Sequence, residues 1–185
     1  MNKLLNFNMP SISKGGMLGM LQGGTVVITL WEGGSSQNAV ISGNNVTLNG
    51  GSGWTNWALG HSLSKPQTIE YSVTNTNQNI FLGFGNGNTP SDSGGFSAMG
   101  YSFYLTSAGD VYWIDSSGAS DTGANRASGD TYKIEWTSGD DVVLSVKPTG
   151  STYSVVKTWS SISETTLYAI AQGYPDSSEI TITPS

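Results

Sequence analysis

The acidic residues are the first candidates for chemistry, because glycosidic bonds are hydrolysed by carboxylate pairs held about 5–5.5 Å or 6.5–9.5 Å apart. Of the five glutamates, Glu70 and Glu135 lie in the middle of segments whose alternating pattern predicts β-strands. Each faces away from the apolar residues of its own segment, so the two could meet across a sheet. The alternative, which we favour, is that both are solvated residues on an outer face. We therefore predict no catalytic residues and no enzyme, with a glycoside hydrolase kept as an alternative.

A nucleophilic triad has little support. The single histidine, His61, follows a stretch that contains Trp, Asn and Gly and is predicted to be a loop residue. The chain has no cysteine and no Gly-x-Ser-x-Gly segment. Without cysteine there is no disulfide framework, and zinc lacks the ligands that its protein sites use.

Carbohydrate binding is better supported, because it needs flat aromatic faces beside groups that hydrogen-bond hydroxyls. Two tryptophans lie in a Gly/Asn/Ser-rich stretch, one tyrosine precedes a Pro-Asp pair in the last loop, and residues 86–92 form a polar loop. The competing interpretation for the two tryptophans is a core lid over one end of the domain. The candidate glycan-binding residues are Trp54, Trp57, Asn86, Asn88, Asp92 and Tyr174. The strand tryptophans Trp113, Trp136 and Trp159 are predicted to be core residues instead.

Calcium is a weaker possibility. Asp and Asn oxygens, which calcium prefers, occur in two loops, at Asn86, Asn88 and Asp92 and at Asp115, Asp121 and Asn125. Neither loop has a fixed ligand spacing, and Asx-rich turns are normal because these side chains bond their own backbone. We predict no metal and no cofactor, with calcium as the alternative.

The elements that must position these residues are strands. Apolar alternation recurs about every ten residues between Gly/Asn/Asp/Ser turns, which is typical of an antiparallel β-sandwich. No segment sustains a helical period, although residues 160–164 could form one turn. The predicted strands are 39–41, 46–48, 68–73, 79–84, 101–105, 111–114, 132–136, 142–146, 153–159, 167–171 and 180–182.

Composition narrows the classes of function. A length of 185 residues predicts one folded domain, and only 11% of the residues are charged. The net charge of −6 and the pI of about 4.4 would repel phosphate backbones, so we predict no nucleic-acid partner. No apolar run approaches the roughly 20 residues of a membrane span, and the N-terminus does not resemble a signal peptide.

The N-terminal segment differs from the rest. Residues 13–24 are small, apolar and glycine-punctuated, and carry too few bulky side chains to offset their backbone entropy. Residues 25–31 follow as a β-branched run that suits a strand buried on both faces or added to another sheet edge, and 32–37 is predicted to be a linker. We predict that residues 1–36 are an assembly arm ordered by other chains, the alternatives being a disordered tail or packing on the chain's own domain. Its contact residues would be Met17, Leu18, Met20, Leu21, Val26, Ile28 and Leu30.

The order of the strand segments resembles the concanavalin A-like and SPRY-like jelly rolls. The resemblance is carried by residues 68–87 (TIEYSVTNTNQNIFLGFGNG), 101–114 (YSFYLTSAGDVYWI), 130–146 (DTYKIEWTSGDDVVLSV) and 168–184, and it covers about residues 38–185. It implies an antiparallel jelly-roll sandwich over residues 37–185, in which strands 46–48 and 180–182 pair. The Glu-x-Asp-x-x-Glu motif of many glycosidases of this fold is absent, as are the flanking motifs of the small xylanases. Domains of this type occur as lectins, polysaccharide hydrolases, protein-binding modules and fibre tips of viruses or phages.

These features predict a structural or adhesion component of a virion, such as a phage head fibre, spike, decoration protein or tail fibre. The sandwich would display a host-attachment or glycan-binding surface at the virion surface, and the arm would join other virion proteins in a homo-oligomer, for which we expect a homotrimer. The alternative is a free carbohydrate-binding lectin module.

Overall fold

The structure is a computed structural model that describes residues 31, 35–48, 53–73, 76–90, 96–174 and 178–184. The described residues form 14 strands and one 3-10 turn at Phe96–Ala98. The strands are β1 (Ser35–Gln37), β2 (Ala39–Ser42), β3 (Asn45–Leu48), β4 (Asn56–Leu63), β5 (Gln67–Val73), β6 (Asn79–Gly85), β7 (Met99–Leu105), β8 (Asp110–Asp115), β9 (Gly118–Asn125), β10 (Thr131–Trp136), β11 (Val142–Lys147), β12 (Ser154–Trp159), β13 (Leu167–Tyr174) and β14 (Ser178–Pro184).

Two antiparallel sheets of seven strands each make up the sandwich. Sheet 1 has the order β1-β4-β13-β6-β7-β8-β9, and sheet 2 has the order β12-β11-β10-β5-β14-β3-β2. The last strand, β14, lies between β3 and β5, with Ile180 opposite Val46. The predicted pairing of residues 46–48 with 180–182 is therefore confirmed, as is the antiparallel jelly-roll sandwich.

The core lies between the sheets and follows from the alternation of the strands. In β5, Ile69, Tyr71 and Val73 are buried, and the Tyr71 hydroxyl donates a 2.9 Å hydrogen bond to the carbonyl of Gly83 in the opposite sheet. Trp136 is buried in this core, as predicted. The core also contains Phe84, Phe103, Tyr132, Ile134 and Leu144.

Some local predictions are wrong. The stretch that contains Trp57 and His61 is not a loop but the eight-residue strand β4, which pairs with β1 and β13. Residues 35–37 form β1 rather than a linker, and the polar β9 was not predicted as a strand. Residues 160–164 form no helical turn.

Of the predicted assembly arm, the structure describes Trp31 and the start of β1. Trp31 is 2% exposed and packs in the core of its own sandwich, and β1 crosses the predicted domain boundary between residues 36 and 37. All seven predicted arm contacts, from Met17 to Leu30, lie outside the described residues. Within the described ranges, no helix is long and apolar enough to cross a membrane.

Candidate functional site

The face of sheet 1 that points away from the core carries a second apolar cluster. Along β6, Ile80, Leu82 and Phe84 point into the core, so Phe81 between them points outward. The same alternation places outward residues on the neighbouring strands. The buried members of this outer cluster are Trp57, Leu59, Phe81, Ala98, Met99, Ile114 and Ile170, and the half-buried Trp54, Phe96, Tyr104 and Tyr168 pack against them.

Three aromatic residues of this face are in register across adjacent strands. Phe81 of β6 lies opposite Tyr104 of β7, and Tyr104 lies opposite Tyr112 of β8. Their ring centroids are 4.7 Å apart for the first pair and 5.9 Å for the second, close to the strand spacing of about 4.8 Å. Because the backbone ladder sets this spacing, the rings form a row with fixed intervals.

Trp54 extends the row at one end. Its indole stacks on Phe81 with ring centroids 4.5 Å apart and planes 15° from parallel. The ring centroid of Tyr174 lies 5.5 Å from that of the indole. Exposure rises along this series, from 2% for Phe81 through the half-buried Trp54 to 39% for Tyr174. We call Tyr174, Trp54, Phe81, Tyr104 and Tyr112 the aromatic row.

Polar side chains hold the loop that carries Trp54. The buried Gln172 of β13 donates from Nε2 to the Trp54 carbonyl at 2.7 Å. Asn38 donates from Nδ2 to the carbonyl and the hydroxyl of Thr55, both at 3.2 Å. Gly53 turns the chain just before Trp54 with a φ of +74°, which other residues rarely adopt. The indole is therefore placed before any ligand arrives, which reduces the entropy cost of binding.

Tyr104, within the aromatic row, is uncharged near pH 7. Burial, and secondarily the neighbouring Tyr112, raise the pKa of Tyr104 above its ordinary value, so its hydroxyl keeps its proton. A protonated phenol can both donate and accept hydrogen bonds. A carboxylate beside the row is the exposed Asp121, which lies opposite Tyr112 in β9 and accepts a 2.8 Å bond from the Gly123 amide.

The structure brings together part of the predicted site. Trp54 and Tyr174 are in contact at the exposed end of the aromatic row. Trp57 lies on the same face in β4 but is only 6% exposed, so it offers little ring surface to a ligand and packs under the site instead.

The polar half of the predicted site lies elsewhere. Asn86 and Asn88 follow the far end of β6, whose last residue, Gly85, lies about 13 Å along the strand from Phe81. Both are exposed, and the Asn86 side-chain oxygen accepts a 3.1 Å bond from the Asn88 amide, which makes an Asx turn. Asp92 lies outside the described residues.

Sequence reasoning missed Phe81, Tyr104, Tyr112 and Gln172. The signal for the three aromatic residues was present, because each alternates with core residues of its own strand. Tyr101-Ser102-Phe103-Tyr104-Leu105 shows that Tyr104 must face away from Phe103. Nothing in the sequence signals the bond from Gln172 to Trp54, since it joins residues separated by 118 positions.

No protein-family model and no curated protein sequence matches the chain. Solved structures do match. The SPRY domain of human HERC1 covers 81% of this chain and 96% of its own, with 13% identity and a TM-score of 0.53. The TRIM65 PSpry domain covers 83% and 95%, with 11% identity and a TM-score of 0.59. The VIP36 exoplasmic/lumenal domain in its Ca2+/Man3GlcNAc-bound form covers 82% and 81%, with 10% identity and a TM-score of 0.55.

The fold is a concanavalin A-like, SPRY-like jelly roll. At these identities the likeness concerns the fold alone. The predicted resemblance is thereby confirmed, and the aromatic row lies on the outer face of one of the two sheets of this jelly roll.

Glu70 and Glu135 lie on the other sheet of the jelly roll. They occupy neighbouring strands, β5 and β10, on the face of sheet 2 that points away from the core. Lys133 lies opposite Glu70 in the register, and its ammonium is 2.9 Å from a carboxylate oxygen of Glu135. One of the two carboxylates that the sequence singled out, Glu135, is therefore paired with a cation.

Of the residues proposed for calcium, all but Asp92 lie in the described part of the jelly roll. In the described ranges, no group of three or more His, Cys, Asp or Glu side chains is placed to hold a metal ion. Asp115 accepts hydrogen bonds from Ser117 and Trp159, and Asp121 accepts one from Gly123.

Proposed function

We propose that this jelly roll is a lectin-like module that binds carbohydrate through the aromatic row. The observation that carries the proposal is the series Tyr174, Trp54 and Phe81, in which an exposed ring is supported by a half-buried and then a buried one. A sugar ring packs its C–H face on such a surface, while phenol hydroxyls and Asp121 meet its hydroxyl groups.

The charge of the row supports a neutral glycan. The aromatic row consists of tryptophan, phenylalanine and tyrosine side chains, and the carboxylate of Asp121 beside it would repel sulfated or uronic sugars. The VIP36 domain, which has the same fold, occurs in a Ca2+/Man3GlcNAc-bound form, and this mannose-containing glycan is a neutral sugar.

A glycan array probed with the full chain tests the proposal. Trp54→Ala and Tyr174→Ala should lose binding, and Tyr174→Phe should retain most of it because the ring remains. The control is Tyr153→Ala, which removes a half-buried tyrosine near Lys133 on the opposite sheet. Thermal unfolding of each variant separates loss of the site from loss of the fold. Binding by both alanine variants at the level of the unmodified chain would contradict the proposal.

The virion role is a second proposal, which rests on the composition of residues 1–36, and the comparisons give it no support. Deletion of residues 1–24 spares Trp31, whose burial ties it to the core. The shortened chain should fold but lose a trimer, or another homo-oligomer, that the full chain forms. Sedimentation equilibrium of both chains gives the number of subunits in each assembly. The same number for the two would refute the proposal that residues 1–36 are an assembly arm.

The hydrolase alternative has a direct test of its own. Incubation with xylan or β-glucan should release reducing sugar if Glu70 and Glu135 act as a pair, and Glu135→Gln should abolish the release. The ion pair between Lys133 and Glu135 favours the opposite outcome, that is, no release by either protein.

A further inference from the structure

A second group of aromatic rings lies between the sheets, at the side of the sandwich that β12 borders. Tyr101 of β7 and Trp113 of β8 point inward from sheet 1, and Trp159 of β12 points inward from sheet 2. The Tyr101 and Trp159 centroids are 5.1 Å apart at 61°, and those of Trp113 and Trp159 are 5.7 Å apart at 87°. We call these three half-buried rings the edge cage.

Hydrogen bonds to two carboxylates fix the polar ends of two of the three rings. The Trp159 indole donates from Nε1 to Asp115 Oδ2 at 2.9 Å, and the Tyr101 hydroxyl donates to Glu164 Oε1 at 2.8 Å. The edge cage therefore combines aromatic faces with two acidic groups, which is the chemistry that attracts a cation.

The edge cage already holds a cation from its own chain. The Lys157 ammonium lies 4.0 Å from the centre of the Trp113 ring and 5.3 Å from that of Trp159, within the range of cation–π attraction. Among the described residues, Lys157 has no carboxylate within 4.0 Å of its ammonium. The rings, rather than an ion pair, hold this side chain in place.

We propose that the edge cage is a binding site for a quaternary ammonium group, and that Lys157 fills it in the free protein. A primary ammonium is compact and strongly hydrated, so it gains less from aromatic faces than a methylated ammonium does. Lys157 is half-buried and extends from an edge strand, so its long side chain can turn outward to solvent when a ligand enters. The site is separate from the aromatic row and does not depend on the proposed carbohydrate binding.

The variant that tests the proposal is Lys157→Met, which keeps an unbranched side chain one atom shorter and removes the charge. Indole N–H signals of the ¹⁵N-labelled full chain are followed by NMR during titration with choline. Choline should shift the Trp113 and Trp159 signals in both proteins. Its affinity for Lys157→Met should be about 5-fold higher, a ratio that corresponds to about 1 kcal/mol, since the competing cation is gone.

Two controls make the test specific. The neutral isostere 3,3-dimethylbutan-1-ol should cause no saturable shift, and Lys147→Met, which makes the same change of net charge beside Tyr153, should leave the choline affinity unchanged. A parallel titration with N-acetyl-trimethyllysine amide shows by its relative affinity whether a choline-type or a lysine-type ammonium is preferred. Equal shifts with the neutral isostere, or no gain in affinity in Lys157→Met, would overturn the proposal. If the methionine variant unfolds at a lower temperature than the unmodified chain, Lys157→Gln takes its place with the same expected gain.

Discussion

The indole of Trp54 and the phenyl ring of Phe81 are 4.5 Å apart and nearly parallel, although one belongs to a loop and the other to the centre of a sheet. Through this contact the loop before β4 becomes part of the outer face of sheet 1. Phe81 also contacts Phe96 and Tyr104, at 5.9 and 4.7 Å. The stability of the sheet and the position of the half-buried indole are therefore coupled.

Phe81→Leu should weaken this coupling without leaving a large cavity. Leucine fills most of the space but cannot stack, so the free energy of unfolding should fall by about 1–2 kcal/mol. Urea unfolding measures the change. Tyr104→Phe, which keeps its ring and loses only a hydroxyl, is the control and should change stability by less than half as much. Equal effects of the two substitutions would show that the stacking contributes nothing.

Gly83→Ala should be among the most destabilising single substitutions in the described strands. An added Cβ would lie 2.5 Å from Ser102 Cα and 2.6 Å from the Tyr101 carbonyl, both backbone atoms of the paired strand β7. Overpacking of this kind costs about 1–3 kcal/mol or more. Gly139→Ala is the matched control, because its Cβ would meet only Thr137 Oγ1, at 3.7 Å.

Denaturant midpoints of the two glycine variants check this prediction. Gly83→Ala should lower the midpoint clearly, and Gly139→Ala should leave it unchanged or raise it slightly, since alanine restricts the unfolded chain. A Gly83→Ala protein as stable as the unmodified chain would mean that β6 and β7 can separate at low cost.

How far the sequence predicts this fold depends on how each strand is buried. Strands with one face in the core, such as β5 and β10, alternate visibly and were predicted within a residue or two. β4 was missed because it is buried on both faces, so Trp57, Ala58 and Leu59 follow one another without alternation. β9 was missed for the opposite reason, since its small and polar residues bury little and its pairing with β8 depends on the backbone.

The candidate site was predictable only in part, for a related reason. Trp54 and Tyr174 were found because they are aromatic residues beside turn-forming segments, and binding residues are often carried on loops. Asn86 and Asn88 were wrongly grouped with them, because the sequence alone does not show whether two loops lie at the same end of a sheet. That relation depends on the order of strands in the sheet, where β13 lies between β4 and β6.

Asp130→Ala should destabilise the fold through two lost hydrogen bonds. This carboxylate is buried and accepts bonds from the amides of Ala127, at 2.8 Å, and Thr149, at 3.0 Å, which tie the turn before β10 to the turn after β11. Because hydrogen bonds to a charged group contribute about 1.5–3 kcal/mol each, the free energy of unfolding should fall by about 3–6 kcal/mol.

Two further variants sharpen this test. Asp130→Asn keeps one acceptor and should lose about half as much stability as Asp130→Ala. Asp121→Ala removes an exposed carboxylate that also accepts a turn amide, and it should cost less than about 1 kcal/mol. Urea unfolding should show the largest loss of stability for Asp130→Ala, a smaller loss for Asp130→Asn and the smallest for Asp121→Ala. A surface substitution ordinarily changes stability by about ±0.5 kcal/mol. A loss for Asp130→Ala within that range would contradict the proposed role of its carboxylate in joining the two turns.

Asp115 gives a pH-dependent prediction for the edge cage. Burial acts to raise the pKa of Asp115, but hydrogen bonds from Ser117 and Trp159 and the charge of Lys157 outweigh it, so the pKa lies below the ordinary value. A depressed carboxyl pKa stabilises the folded state fully above the unfolded value of about 3.9, and the contribution is lost as the pH falls through the folded value.

The indole N–H signal of Trp159 should report this titration with a midpoint below about 3.9. Ser117→Ala should raise the midpoint most and Lys157→Met by less, because the serine makes the largest lowering contribution. A midpoint at or above 3.9 in the unmodified chain, or one that ignores both substitutions, would show that these contacts do not hold the carboxylate in its ionised form.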